Sequence, residues 1–385
     1  MVETSVKTKS KQKIISRKTV FVGLSGGVDS AVSAALLQQA GFFVVGVFIR
    51  IWSPEWQECT SKEDRLDAMR VAVALGIPFR EIDLTDIYKK EVVDYMIREF
   101  KAGRTPNPDV LCNKTVKFGA FFDYAMSAGA DFVATGHYAQ VADANGMRAL
   151  TDDAGSARTA PTSLCMAKDP TKDQTYFLST ITQAQLEKTL FPVGHLLKSQ
   201  VRALAKKLKL PNALRKDSQG LCFVGKVDVK DFLKRSIPER LGEVLDRNGK
   251  VIGSHTGASL LTIGERHGFR VAPHIPTQDA LYVIAKDTTA NTITVDSHAT
   301  TLPKNSILSI HKVHWIMVAP PNTTIALRYR HRGTLVACHV EASDKNNCSL
   351  VLHAAMPLVA PGQFVVLYKN EECLGGGVID SGENV

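Results

Sequence analysis

The chain has 385 residues, 44% hydrophobic and 22% charged, with 27 Gly and 16 Pro. This composition excludes disorder, collagen and a simple coiled coil as the main architecture, and the length predicts two or three domains. The net charge of +9 is concentrated in residues 1–18, which hold six Lys/Arg against one Glu. The remaining chain is mildly basic, which is compatible with a nucleic-acid partner without requiring one.

No run of 18 apolar residues occurs, so no membrane span or membrane partner is expected. The seven cysteines include no C-x-x-C pair and no zinc-finger spacing, so no protein metal site is expected and a reducing cytoplasm is. The N-terminus lacks an apolar signal core, and its Lys-rich residues 1–18 read as a flexible basic tail.

Residues 19–24 predict a buried strand. Residues 28–40 predict a helix with Val28, Ala31, Val32, Ala35 and Leu36 on one face, and Phe43 to Ile51 a second strand. Ser61 with Asp64 three residues on resembles a capping box for a helix reaching Leu75. A strand Phe79–Leu84, helices near 86–101 and 114–128, and a strand Asp131–Thr135 follow. Such alternation predicts a parallel sheet with both faces covered by helices. Residues 146–173 read as a loop or insertion and 183–209 as helical. Beyond 241 short strands prevail, with a hairpin signal at Asp246-Arg247-Asn248-Gly249. From about 305 the recurring strands predict a small antiparallel β-barrel.

The sharpest local signal is Ser25-Gly26-Gly27-Val28-Asp29-Ser30, placed between a strand and a helix. Two glycines admit close approach of the backbone to a ligand, and the helix N-terminus presents free N–H groups to an anion. The Walker pattern is absent, since Asp29 stands where that chemistry needs a lysine. Asp29 is suited either to hold Mg²⁺ or to position the loop. Two cysteines also stand in marked loops. Cys112 follows Thr105-Pro106-Asn107-Pro108-Asp109 at the expected start of a helix, where the dipole, Lys114 and Lys117 would lower its pKa. Cys222 lies between Gly220 and Gly225. Together they suggest thiol chemistry, whereas the other five cysteines read as core residues.

The Ser-Gly-Gly-x-Asp-Ser string resembles the loop of the ATP-pyrophosphatase (PP-loop) superfamily. Added to it, in order, are Gly103–Lys117, Thr135–Ala139, Lys172–Leu178, Phe191–Gly194, Asp217–Gly225 and Cys373–Gly377. With these the chain resembles the tRNA-specific 2-thiouridylase family, from residue 20 to about 380. The resemblance implies an α/β nucleotide-binding domain over 19–215. It further implies a central domain over 216–300, with Cys222 near its start, and a tRNA-binding barrel over 301–385. It also implies ATP-dependent 2-thiolation of the wobble uridine of tRNA, with release of AMP and pyrophosphate.

By the same resemblance ATP binds at Gly23, Leu24, Ser25, Gly26, Gly27, Val28, Asp29 and Ser30, with Ile49 against adenine and Gly136 completing the pocket. Ile49 stands where many members have Met, a change that a backbone contact tolerates. Mg²⁺ accompanies ATP, and a cysteine desulfurase or sulfur-relay carrier supplies a persulfide to Cys222. Cys112 attacks that persulfide or resolves the intermediate, leaving a Cys112–Cys222 disulfide. Asp109 is read either as a base-positioning group or general base, or as a helix cap. The implied tRNA contacts are Asn107, Pro108, Asp109, His137, Lys172, Asp173, Gln174, Arg328, Tyr329 and Gln363. Arg328, Arg330 and Arg332 alternate, so on a continuous strand they share one face. The alternatives are a PP-loop ligase or sulfurtransferase with another acceptor, an RNA-binding module without catalysis, and a thiol redox protein. Pyrophosphate release without tRNA, failure to bind ATP and a C-x-x-C pair, respectively, would mark them.

Overall fold

The computed structural model describes residues 17–54, 56, 61–143, 161–217, 229–272, 280–318 and 322–380. Most of the basic tail and Cys222 lie outside the described residues. Strands β1 (Thr19–Gly23), β2 (Phe43–Arg50), β3 (Phe79–Asp83) and β4 (Phe132–Ala134) form where the apolar runs predict them. Two short strands, β5 (Gln140–Ala142) and β6 (Ser163–Cys165), make a hairpin, and β7 (Thr189–Leu190) follows. The parallel sheet has the order β3-β2-β1-β4-β7. Alternation along β1 sends Val20 and Val22 into one apolar cluster, with Ala31, Val32 and Val201, and Phe21 into the opposite one, with Phe121 and Ala125. The sheet is therefore buried on both faces, as parallel sheets require.

The stretch 183–209 is not one helix. Helices Gln183–Glu187 and Lys198–Lys207 are separated by β7 and a turn. Pro192 has no N–H to continue a helix, and Gly194 is packed so closely that a Cβ there would stand 1.6 Å from the Ala139 carbonyl oxygen. The helix expected near 114–128 begins earlier, at Pro108.

A central five-stranded sheet comprises β8 (Gly242–Leu245), β9 (Val251–His255), β10 (Phe269–Val271), β11 (Tyr282–Asp287) and β12 (Thr292–Asp296). The Asp246 carboxylate accepts from the Asn248 and Lys250 amides and closes the expected hairpin. After a small pair, β13 (Thr301–Leu302) with a later strand, come β14 (Ile307–Trp315), β15 (Thr324–Arg328), β16 (Val336–Ser343) and β17 (Asn347–Leu352). β18 (Met356–Pro357), the partner of β13, precedes β19 (Phe364–Lys369) and β20 (Glu372–Ile379). The order β14-β17-β16-β15-β19-β20 is antiparallel, and β20 returns to β14, closing a six-stranded barrel. Closure removes the open edges. The β5–β6 hairpin adds to β20, so chain from the first half of the protein extends the barrel's sheet.

A buried ion pair also joins these halves. The Asp173 carboxylate accepts from Arg328 Nη1 at 2.9 Å, from the Ala167 amide at 3.0 Å and from the Thr175 hydroxyl. Its side chain is 4% exposed and that of Arg328 12%. The Tyr176 hydroxyl donates to the Phe364 carbonyl, and the Arg328 guanidinium lies over the Tyr368 ring. Removing one partner of such a pair strands a buried charge. Arg328→Ala is therefore expected to destabilise the protein by about 3–5 kcal/mol. Denaturant unfolding of the single variant and of Asp173→Asn/Arg328→Met will check this. Much of the loss should return in the double variant, and an unchanged midpoint for Arg328→Ala would refute the assignment.

Candidate active site

The loop between β1 and the helix Val28–Gln39 is held from within and from behind. The Ser30 hydroxyl donates to the Gly27 carbonyl at 3.1 Å and lies 3.3 Å from the Ser25 hydroxyl, while the Ser25 hydroxyl accepts from the Gly27 amide. Gly26 has φ +76°, and a Cβ on it would stand 2.5 Å from the Asp64 carbonyl oxygen. Only glycine combines that backbone with that approach. Behind the loop, Asn212 donates to the Gly26 carbonyl at 2.7 Å, and Arg215 pairs with Asp64 and Asp67. Gly136 follows β4, and a Cβ there would meet the Ser30 amide nitrogen at 2.6 Å. The loop thus rests against the carboxyl end of the sheet, where open α/β folds bind ligands. Its helix N-terminus is suited to anions.

The Asp29 carboxylate accepts from the Tyr138 hydroxyl at 2.8 Å and from Lys198 at 2.7 and 2.9 Å. Lys198 also reaches Asp217 at 2.9 Å, and Asp217 is met by Lys172 at 2.8 Å and by Arg202. Burial works to raise the pKa of Asp217, but hydrogen bonds from Lys172 and Lys198 outweigh it and hold the carboxyl far below its ordinary range. Burial, together with the negative charge of Asp29, pushes the Tyr138 phenol well upward. Among the described residues there is no cluster of three or more His, Cys, Asp or Glu side chains able to hold a metal.

Asn107 caps the helix that carries the first cysteine. Its side-chain oxygen accepts from the Asp109 and Val110 amides at 3.1 and 3.2 Å, and Pro108 occupies the first helical position, where a missing N–H is harmless. The cap is Asn107, not Asp109. Cys112 accordingly stands past the first turn rather than at the start, and opens a π-helical stretch, Cys112–Ala120. Such widened turns are frequent at functional sites. The thiol is buried among Ile51, Tyr88, Val116 and Phe232, and Ile49 at the end of β2 packs on the same cluster. The helix bearing Cys112 thus packs at the end of β2, the strand beside β1.

The other expected contacts are distributed. His137 is buried, with Nδ1 2.7 Å from the Thr135 hydroxyl and Nε2 3.3 Å from Lys117. Burial, with Lys117 adding to it, keeps the imidazole pKa well below its usual value. Gln174 accepts from the Tyr138 amide, Lys172 belongs to the Asp217 cluster, and Asp173 and Arg328 pair internally. Gln363 donates to the Thr105 carbonyl, two residues before Asn107, which ties the barrel to this loop. Tyr329 is buried in the barrel core. β15 ends at Arg328, and Arg332 adopts φ +58°, so Arg330 and Arg332 do not continue a strand face with Arg328. Lys198, Arg202, Asn212 and Arg215 have no role in the sequence reading, and Tyr138 and Asp217 enter it only as members of motif segments, without a role of their own. No local spacing could have announced them, because their partners lie up to 189 residues away.

Family models match three stretches of the chain. They are a tRNA methyl transferase HUP domain over residues 18–226, a tRNA methyl transferase PRC-barrel domain over 230–297 and an aminomethyltransferase beta-barrel domain over 305–379. The chain is 40% identical over 371 residues to the tRNA-specific 2-thiouridylase MnmA of Methylobacillus flagellatus, covering 95% of this chain and 99% of that protein. It is 42% identical over 366 residues to the enzyme of that name from Thiobacillus denitrificans (94% and 99%) and 41% over 372 residues to that of Enterococcus faecalis (95% and 96%).

Two outcomes follow from this geometry. Gly136→Ala forces a methyl group against Ser30, a strain of about 1–3 kcal/mol. The expected result is at least a tenfold loss of ATP affinity by calorimetry, with an unchanged circular dichroism spectrum; wild-type affinity would show that the loop tolerates displacement. The second outcome concerns acid. A folded pKa depressed below the unfolded value near 3.9 gives stability that is present above about pH 4 and lost as the pH falls. Asp217→Asn should therefore lose less stability than the wild type between about pH 4 and 2, measured as the fall in Tm. Parallel curves would refute the coupling.

Proposed function

This chain belongs to the tRNA-specific 2-thiouridylase family, and we infer that it is a tRNA-uridine 2-sulfurtransferase that uses ATP. The observation that carries the reading is that the phosphate loop follows β1, while the helix bearing Cys112 shares an apolar cluster with Ile49 and Ile51 at the end of β2, the strand beside β1. We propose that the substrate is the wobble uridine. Its O2 attacks the α-phosphorus of ATP, and pyrophosphate leaves. The loop N–H groups and Lys198 offset the charge on the departing phosphates. Adenylation matters because a uracil oxygen is a poor leaving group, whereas AMP is a good one.

Sulfur then reaches C2 from a persulfide on Cys222, which lies outside the described residues, and AMP departs with the original oxygen. Cys112 either releases the sulfur from the persulfide beforehand or attacks Cys222 Sγ in the C2–S–S intermediate. In either course a Cys112–Cys222 disulfide forms, and a thiol reductant must reopen it. Asp109, in the first turn of the capped helix, is the proposed base-positioning carboxylate. Mg²⁺ is proposed to enter with the phosphates of ATP. Asp29 is the carboxylate of the loop, and Tyr138 and Lys198 already engage it, so the phosphates are proposed to supply most of the ligands.

We further propose that the Asn107–Asp109 loop, with Gln363 behind it, receives the base, and that the barrel docks the tRNA. Lys172, Gln174 and His137 are proposed to support that side of the site. The sulfur donor is proposed to be a cysteine desulfurase or relay carrier in a cytoplasmic, reducing setting. Among the described residues no helix is long and apolar enough to cross a membrane.

Mass spectrometry of tRNA nucleosides after incubation with ATP and a sulfur source is the direct test. 2-Thiouridine should appear only when both are present. Cys222→Ser and Cys112→Ser should each reduce product at least a hundredfold while ATP binding stays within about twofold, and only the Cys112 variant should accumulate persulfide. Full thiolation by Cys222→Ser would overturn the assignment of the sulfur carrier.

A further inference from the structure

Three cations converge on one carboxylate beside the nucleotide loop. Asp217 Oδ2 lies 2.8 Å from Lys172 Nζ, its Oδ1 lies 2.9 Å from Lys198 Nζ, and Arg202 Nη2 approaches the same oxygen. Lys198 simultaneously grips Asp29, so a single ammonium bridges the phosphate loop to Asp217. The Lys198 ammonium also lies 5.7 Å from the centroid of the Tyr138 ring, and the Lys198 amide donates to Asp169.

The two carboxylates differ in how they are held. Asp29 belongs to the first turn of the helix that follows the loop and is fixed there by Tyr138 as well as by Lys198. Asp217 lies on a separate segment of the same chain and meets the site through the three cations. The guanidinium of Arg202 also donates to the Ala213 and Arg215 carbonyls, so this strip of chain is gathered onto the cluster. With Asp169, which interacts with Lys172, three cations face three carboxylates, so the cluster carries no surplus of positive charge over its own anions. A polyphosphate brings several negative charges. It also offers oxygens that fit ammonium and guanidinium groups as well as a carboxylate does. Polyphosphate and Asp217 cannot both be satisfied by the same N–H donors, and like charges brought together there repel.

We propose that Asp217 is an internal anion that competes with the phosphates of the nucleotide for Lys172, Lys198 and Arg202. This rests on the ATP-binding reading above and adds to it a regulating residue. Because coupling between two ligands of one site is reciprocal, whatever seats Asp217 on the cations weakens polyphosphate binding, and polyphosphate unseats Asp217. Asp217 stands five residues before Cys222 in the chain, so nucleotide occupancy is felt at the root of the segment that carries the second cysteine.

The test is calorimetric binding of inorganic pyrophosphate and of ATP to the full chain and its variants. Removing the competing charge should tighten binding of both. The expected gain for Asp217→Asn is about fivefold in Kd for pyrophosphate, the equivalent of a partly exposed ion pair of about 1 kcal/mol. Asp217→Ser should behave alike, and Asp217→Glu, which keeps the charge, should stay near the wild-type value. Lys198→Met should weaken pyrophosphate binding about tenfold or more in both the wild-type and the Asp217→Asn background. Thermal unfolding identifies the folded variants, and Ser and Glu carry the comparison if Asn does not fold. Folded neutral variants that bind pyrophosphate no more tightly than the wild type would overturn the competition, since a merely structural Asp217 predicts unchanged or weaker binding. A wild type that binds neither pyrophosphate nor ATP would instead overturn the nucleotide reading itself.

Discussion

The ion pair between Asp173 and Arg328 is the contact on which the arrangement of the site most depends. It is buried and satisfied on several sides, so it fixes distance and orientation between the nucleotide-binding half and the barrel more strictly than apolar packing would. Bonds to neighbouring parts extend its effect. Gln363, from the barrel, donates to the Thr105 carbonyl, and the Thr105 amide donates to the Pro361 carbonyl. The Thr105 hydroxyl lies 3.2 Å from that of Thr262 in the central part of the chain. The loop leading into Asn107 and Cys112 is thereby braced by all three portions of the molecule. The sulfur-transfer site proposed here needs such bracing, because reacting atoms must be held within a few tenths of an ångström of a productive geometry.

Close backbone approach supplies the other constraint. Gly26 and Gly136 let the phosphate loop lie against Asp64 and the end of β4, and Gly194 lets the turn after β7 touch Ala139. None of these contacts stores much energy. Each instead removes an alternative, since a single methyl group would push a neighbouring backbone aside. The loop amides are consequently presented in a preorganised array, which suits the proposed stabilisation of developing phosphate charge.

Much of this was legible in the chain itself. The Val-rich runs of β1 and β2 and the Ser25–Ser30 string announced a parallel nucleotide-binding sheet, because each is a local pattern with a local cause. Asn107-Pro108 likewise carries the helix start in its own residue types, a cap followed by a proline at the first helical position. Reading the helix from 114 overlooked that pair and left Cys112 at a terminus it does not occupy. β7 escaped notice because two residues carry no periodicity, and the β5–β6 hairpin because its sheet partner, β20, lies some two hundred residues further on. The Arg328–Arg332 alternation misled for a definite reason. Period-two spacing implies a shared face only while the backbone stays extended, and here the strand turns immediately after Arg328.

The charged residues of the site were the least legible, and the physics explains why. A lysine in sequence is a solvated cation until a tertiary partner desolvates it. Lys198 looks like any first-turn helix residue, and its position is unfavourable by the dipole rule, which prefers acids there. That local cost is evidence of a tertiary demand. A cation placed where its own helix disfavours it must be favoured by something outside the helix, and Asp29 and Asp217 are those partners. Their pairing keeps the ammonium oriented and close to the loop. The conflict between local preference and global placement thus points to Lys198 once the fold is known, because only a functional or tertiary gain can sustain it.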